Sequence, residues 1–210
     1  MSITADEDGS VEAQGSPPRT IRFSDLSRQP LDQGKGSARE IWADPDDGLG
    51  WQLRVVEVKD STGLLVGPAG THHYVVGLAG PQVAVRSTGA SRVLRREEIL
   101  PVPSATVLFE RPRLRPPGAS SLIVLTYFGA VDPPGFLIQT IDAGAGLPLG
   151  AQVLVALRGT VRVGGAEAAQ GSALLLDPAQ SYRPGTSAAH LLIVHRSGAD
   201  ESDPGEALAS

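Results

Sequence analysis

The sequence contains no cysteine and a single methionine among its 210 residues. The missing thiols exclude disulfides, thiolate-based zinc sites and cysteine nucleophiles. Aromatic residues make up only 4%, so Val, Leu, Ile and Ala must fill the core that a hydrophobic content of 41% allows. Concentrated positive charge is also lacking. The net charge is -5, and the basic residues are scattered apart from Arg92, Arg95, Arg96 and Arg111, Arg113, Arg115. The second set alternates with Pro and reads as an extended, solvated connection. Binding to a phosphate backbone needs clustered Lys and Arg, so no nucleic-acid partner is expected.

No apolar run approaches the ~18 residues of a membrane helix. The opening MSITADEDGSVEAQGSPP has no basic region leading into an apolar stretch, so it does not read as a signal peptide. No membrane partner is expected, and a cytoplasmic location is. Sustained helical periodicity with caps is absent. The 25 Gly and 17 Pro suit short strands joined by turns. Residues 1–19 and the acidic tail 198–210 are too polar to offset ordering entropy and are expected to be disordered.

What is present is a half-repeated phrase. VVGLAGPQVAV (Val75 to Val85) is echoed by LVALRGTVRV (Leu154 to Val163). Each has an apolar run, a Gly at a turn (Gly80, Gly159) and a returning alternating strand. Each is followed by an apolar run ending in Pro, EEILPVP and then ALLLDP. Two copies of one β-unit spaced by roughly 75 to 80 residues indicate a duplicated all-β architecture. The strand patterns agree. In WQLRVVEVK, Trp51, Leu53 and Val55 share one face, while Gln52 and Arg54 lie opposite, beside Val56 and Val58. Ser61-Thr62-Gly63 reads as a turn, Gly164-Gly165 as a two-residue hairpin turn, and Ser121 to Phe128 as a buried strand. About eleven short strands at regular spacing indicate a sandwich or barrel.

These features resemble a bicupin, two tandem jelly-roll lobes in one chain, at residues 20–115 and 119–197. More narrowly, DQGKGSAREI (Asp32 to Ile41) is similar to the opening motif of the bacterial HutD/Ves family. GWQLRVVEV is similar to that family's first long strand, and Thr62 to Gly80 to its Gly- and Pro-rich stretch leading into the first cupin strand. The resemblance implies binding of a small metabolite, in histidine catabolism or a stress response, without an established catalytic activity. There are departures. Leu31 and Gln33 replace the family's Trp and Asn, His73 stands at an Arg position, and Ser121-Leu122-Ile123 replaces a polar Asp-Phe-Asn motif. If those polar groups hold the family's ligand, this chain binds something else or binds weakly.

Metal chemistry has few donors here. The second lobe places Leu, Gln and Ala where metal-binding cupins carry His and Glu. His72 and His73 are adjacent in a strand and must point to opposite faces. His190 and His195 are five apart and also diverge. A three-ligand site of the kind transition metals require is therefore not expected, and no cofactor is. The Gly-x-Ser-x-Gly of a serine hydrolase is absent. GAGLPLG resembles a dinucleotide loop, but Pro148 and the β-pattern after it remove the helix N-terminus such a loop needs.

The expected ligand-binding residues are Gln33, Gly34, Gly36, Arg39, Glu40, Trp51, His73 and Tyr74. Arg39 offers a planar fork that matches a carboxylate, and the neighbouring Gly residues permit close approach. Two readings of Arg39 stay open: it holds a carboxylate-bearing metabolite, or it tethers the N-terminal segment through a polar contact. The expected function is non-catalytic binding of a small polar metabolite. A cupin enzyme, whether isomerase or metal-dependent oxygenase, and a degenerate structural module are the alternatives. A homodimer is left open.

Overall fold

The computed structural model describes residues 16–43, 50–111, 118–129, 133–185 and 188–196. Nearly all of the expected disordered termini and the Pro-rich link 112–117 lie outside them. Among the described residues there is no α-helix, only a 3-10 turn at Phe23–Asp25, and there are sixteen strands. These are β1 (Arg19–Arg22), β2 (Gln29–Pro30), β3 (Gln33–Ala43), β4 (Trp51–Val66), β5 (Thr71–Ala79), β6 (Val83–Ser87), β7 (Ala90–Leu94) and β8 (Ile99–Val102). They continue with β9 (Thr106–Glu110), β10 (Ser120–Phe128), β11 (Gly135–Ile141), β12 (Ala151–Arg158), β13 (Thr160–Val163), β14 (Ala166–Ala169), β15 (Ser172–Leu175) and β16 (Ala189–His195). The all-β expectation holds. The count exceeds eleven because weakly patterned segments such as β14 (AEAA) and the Pro-containing β8 pair as strands.

A nine-stranded antiparallel sheet runs β7-β6-β9-β4-β10-β5-β8, with β3 joined to β4 and β2 to β3. A five-stranded sheet runs β1-β15-β12-β16-β11, and β13-β14 forms a separate hairpin. The two echoed phrases have comparable strand neighbours. β5 lies between β10 and β8, just as β12 lies between β16 and β15. Gly80 and Gly159 follow β5 and β12 with φ of 87° and 75°, the left-handed region that lets each strand turn back. The hairpin at Gly164-Gly165 also forms as expected, with Val163 paired to Ala166 and both glycines at positive φ.

Two departures have clear causes. Ser61-Thr62-Gly63 is no turn; β4 runs straight through it and changes partner, from β10 to β9. Gly63 permits this because a Cβ there would lie 2.7 Å from Leu31 Cδ1. Secondly, β1 does not join the sheet that holds β2 and β3. It pairs with β15 and caps the edge of the smaller sheet. Residues 20–22, expected at the start of the first lobe, thus hydrogen-bond to the smaller sheet.

Alternation along the strands sorts the apolar residues into three layers. Val56, Val58, Val75, Leu122, Val124 and Phe109 fill the inside of the curled larger sheet. Leu154, Ala156, Leu174, Leu191 and Ile193 fill the inside of the smaller one. The opposite faces of the same strands, Leu53, Val55, Val76, Ile123 and Leu125 against Val153, Val155, Ala173, Leu192 and Val194, form a seam between the sheets. β10 and β12 are therefore apolar on both faces, and each buried aliphatic side chain contributes about 1.5–3 kcal/mol.

Ile123→Ala at the fully buried centre of the seam should lower stability by about 2–5 kcal/mol in urea unfolding. Val93→Ala, on an exposed strand, should change it by less than about 0.5 kcal/mol.

Candidate functional site

Inside the larger sheet, the apolar rows turn polar toward one end. On β4 the inward row runs Val58, Val56, Arg54, Gln52; on β10 it runs Leu122, Val124, Thr126, Phe128; on β5, Val75 is followed by His73. Antiparallel register brings the polar members together, with Thr126 opposite both Gln52 and His73. They surround a cavity of about 310 Å³, which Leu65, Val66, Pro68 and Phe128 also line. That volume sits at the lower end of the range for small-molecule pockets.

The site is polar, and its hydrogen bonding is incomplete. His73 is 1% exposed, and its Nδ1 lies 2.9 Å from Thr126 Oγ1. Its Nε2 is buried without a partner. Burial pushes the His73 pKa down to about 4. A hydrogen-bonding interaction with the Ala105 backbone opposes that fall, and the positive Arg54 adds to it. The imidazole is thus neutral at pH 7. Arg54 also loses solvation on burial, which lowers its pKa against the pull of Glu40 and Asp32. Its Nε has no partner. Gln52 donates from Nε2 to the Glu40 carboxylate, which stands across from Arg54 on β3.

The residues expected to bind ligand are divided between the two faces of this sheet. His73 and Trp51 line the cavity, although the Trp51 ring stacks on Trp42 at 4.0 Å, toward the seam. Glu40 adjoins the cavity through Gln52. Tyr74 faces the other way and stacks on Tyr127 and Phe136, each at 5.4 Å. Arg39 also lies on the seam side and pairs with Glu57 at 3.0 Å. Gln33, Gly34 and Gly36 cross the far half of β4. A Cβ at Gly34 would meet Thr62 O at 2.2 Å, and one at Gly36 would meet Glu57 O at 2.3 Å, so these glycines serve the strand crossing. Sequence reasoning missed Arg54, Gln52 and Thr126 as site residues. The signal was present: polar Gln52 and Arg54 share a face with Val56 and Val58, which marks a polar end to an otherwise apolar interior.

His72 and His73 point to opposite faces, His72 stacking on Tyr127 at 5.6 Å. His190 lies 3.0 Å from Thr140 Oγ1 and 3.5 Å from Glu97. Among the described residues no three His, Asp or Glu side chains converge as a metal-binding group would need.

No protein-family model matches the chain, and no curated protein matches it by sequence. Solved structures do match. HutD from Pseudomonas fluorescens SBW25 superposes with a TM-score of 0.66 at 19% identity, over 86% of this chain and all of that one. A conserved protein of unknown function from Pseudomonas aeruginosa PAO1, PA5104, gives 0.69 at 23% identity, over 86% and 98%. A cupin 2 conserved barrel domain protein from Leptotrichia buccalis gives 0.54 at 12% identity, over 88% and 99%. In fold, this chain is similar to HutD and to the cupin barrel. The cavity opens from the interior of the larger sheet.

The neutral His73 sets a pH dependence. Its pKa is depressed on folding, so the unfolded chain binds the extra proton between about pH 4 and 6.5, and stability rises with pH across that window. Acidifying from pH 7 to pH 4.5 should lower the urea midpoint, His73 accounting for about 3 kcal/mol at most. His73→Gln should remove that share of the slope.

Proposed function

We propose that this cupin is a non-catalytic binder of a small polar metabolite, held at the polar end of the larger barrel. The observation that carries the reading is unmet hydrogen-bonding capacity in a cavity. The Nε of Arg54 and Nε2 of His73 are buried without partners, next to Thr126 and Gln52, in about 310 Å³ of space. Buried polar atoms cost about 1–3 kcal/mol each when unsatisfied, and an occupant with acceptor atoms offsets that cost. Arg54 supplies charge and a planar donor fork. Neutral His73, its Nδ1 oriented by Thr126, presents Nε2 as a neutral hydrogen-bonding atom. Phe128 and Leu65 give the cavity an apolar wall.

The matching arrangement of β5, β10, β8 and β12, β16, β15 supports a duplicated, bicupin origin. The interior of the second copy is filled by Leu154, Leu174, Leu191, Ile193 and Tyr182. The binding role therefore falls to the first copy, and the second serves as its support. The resemblance of Asp32 to Ile41 to the opening motif of the HutD/Ves family supports a ligand from amino-acid metabolism, with a regulatory or carrier role in the cytoplasm. The departures at His73 and at Ser121-Leu122-Ile123 favour a ligand different from that of other family members.

A thermal-shift screen against amino-acid catabolites tests this. A ligand at about a hundred times its dissociation constant adds about 2.7 kcal/mol, or some 5–10 °C in Tm for a chain of this size. Arg54→Gln should abolish the shift. A stoichiometric transition metal in purified protein, with turnover of a metabolite, would replace this reading with a cupin enzyme.

A further inference from the structure

The seam between the sheets also ends in polar residues, at the opposite end from the barrel cavity. The outward row of β4 runs Trp51, Leu53, Val55 and then Glu57; that of β10 runs Leu125, Ile123 and then Ser121. Register aligns these last members: Ser121 pairs with Glu57, and Glu57 with Ser37 of β3. Arg39, two residues along β3, points the same way and is 5% exposed. Its Nη1 meets Glu57, but its Nε is buried without a partner, as is Ser37 Oγ.

This end of the seam opens into a cleft of about 550 Å³. Three parts of the chain build it. The larger sheet contributes Arg39, Glu57 and Ser121. The turn before β15 contributes Gln170. The segment that links β1 to β2 crosses between the sheets and contributes Phe23, Ser24 and Arg28. The Phe23 N–H donates to Gly171 O at 3.0 Å, which fastens that segment to the smaller sheet. Arg28 is exposed at the mouth and has no ion-pair partner among the described residues.

We propose that this cleft is a second ligand site, separate from the barrel cavity, for a small monocarboxylate with an apolar stem. Of the side chains lining the cleft, two are guanidinium groups and one is a carboxylate, and the Asp25 carboxylate stands beside them, accepting from Ser24 Oγ at 2.8 Å. Arg39 is buried and only partly satisfied, and a carboxylate is the planar acceptor that suits such a fork. Phe23, Val55 and Leu78 form the apolar wall, while Ser121 and Gln170 offer a hydroxyl and an amide. Because the cleft is shared by both sheets and the crossing segment, an occupant there ties all three together. Clefts between packed units are a common location for small-molecule sites.

The test is butyrate binding to the full chain, followed by calorimetry, with butyramide as the uncharged control. Butyrate should bind saturably and butyramide should not. Arg28→Gln should weaken binding about three- to fivefold, and Arg39→Lys about tenfold or more. Arg54→Gln, which disables the barrel cavity, should leave butyrate affinity unchanged. If Arg39→Lys fails to fold, Arg28→Gln carries the comparison alone. Any of three results would overturn the proposal: no saturable butyrate binding, equal binding of butyramide, or loss in Arg54→Gln with none in Arg28→Gln. The last would leave the barrel cavity as the binding site.

Discussion

The structure depends on one dry seam. Leu53, Val55, Val76, Ile123 and Leu125 of the larger sheet press against Val153, Val155, Ala173, Leu192 and Val194 of the smaller one. Each of these side chains has a strand neighbour pointing into a barrel, so burial on one face requires burial on the other. That explains why the central strands read as nearly continuous aliphatic runs rather than alternating ones. It also explains how a chain with so few aromatic residues builds a stable core: the area comes from many Val, Leu and Ile side chains in three stacked layers. Tyr74, Tyr127 and Phe136 sit at the seam's margin, where their rings stack across the two sheets.

Polar chemistry is confined to where these layers end. The same strands, β4 and β10, carry Arg54 and Thr126 at one end of the inward face, and Glu57 and Ser121 at the other end of the outward face. A strand has only two faces, and both centres are occupied by core. Cavities can form only where the rows run out, and there buried cations and hydroxyls take the place of valine. Desolvation then sets their properties. It depresses the His73 pKa to about 4 and keeps the ring neutral. It also leaves Arg39 dependent on Glu57, since an isolated buried guanidinium is costly.

Glu97 fastens the sheets at another point. It is the one described residue other than Gly with positive φ, at 60°. Its N–H donates to Gly77 O at 2.9 Å, and its carboxylate accepts from Arg158 Nε at 2.8 Å, reaching from the larger sheet to the smaller. A left-handed Glu is a strained choice, held here by the strand bond behind it and the arginine ahead.

Much of this was legible in the sequence because it follows from period-2 alternation and glycine punctuation, which are local. The repeat at Gly80 and Gly159, the Gly164-Gly165 hairpin, the shared face of Trp51, Leu53 and Val55, and the divergence of His72 from His73 all follow from chain geometry within a few residues. Tertiary structure decided which of a strand's two faces meets which partner. No local pattern says that Arg39 and Tyr74 look toward the other sheet while His73 and Arg54 look into the barrel, because register with β4 and β10 settles it across some 15 to 55 residues of chain. Nor does it say that β1 leaves its neighbours to cap β15, or that β4 continues through Gly63. Those outcomes depend on where a free sheet edge lies and on whether Leu31 finds room above a missing Cβ, and both conditions exist only once the sheets have assembled.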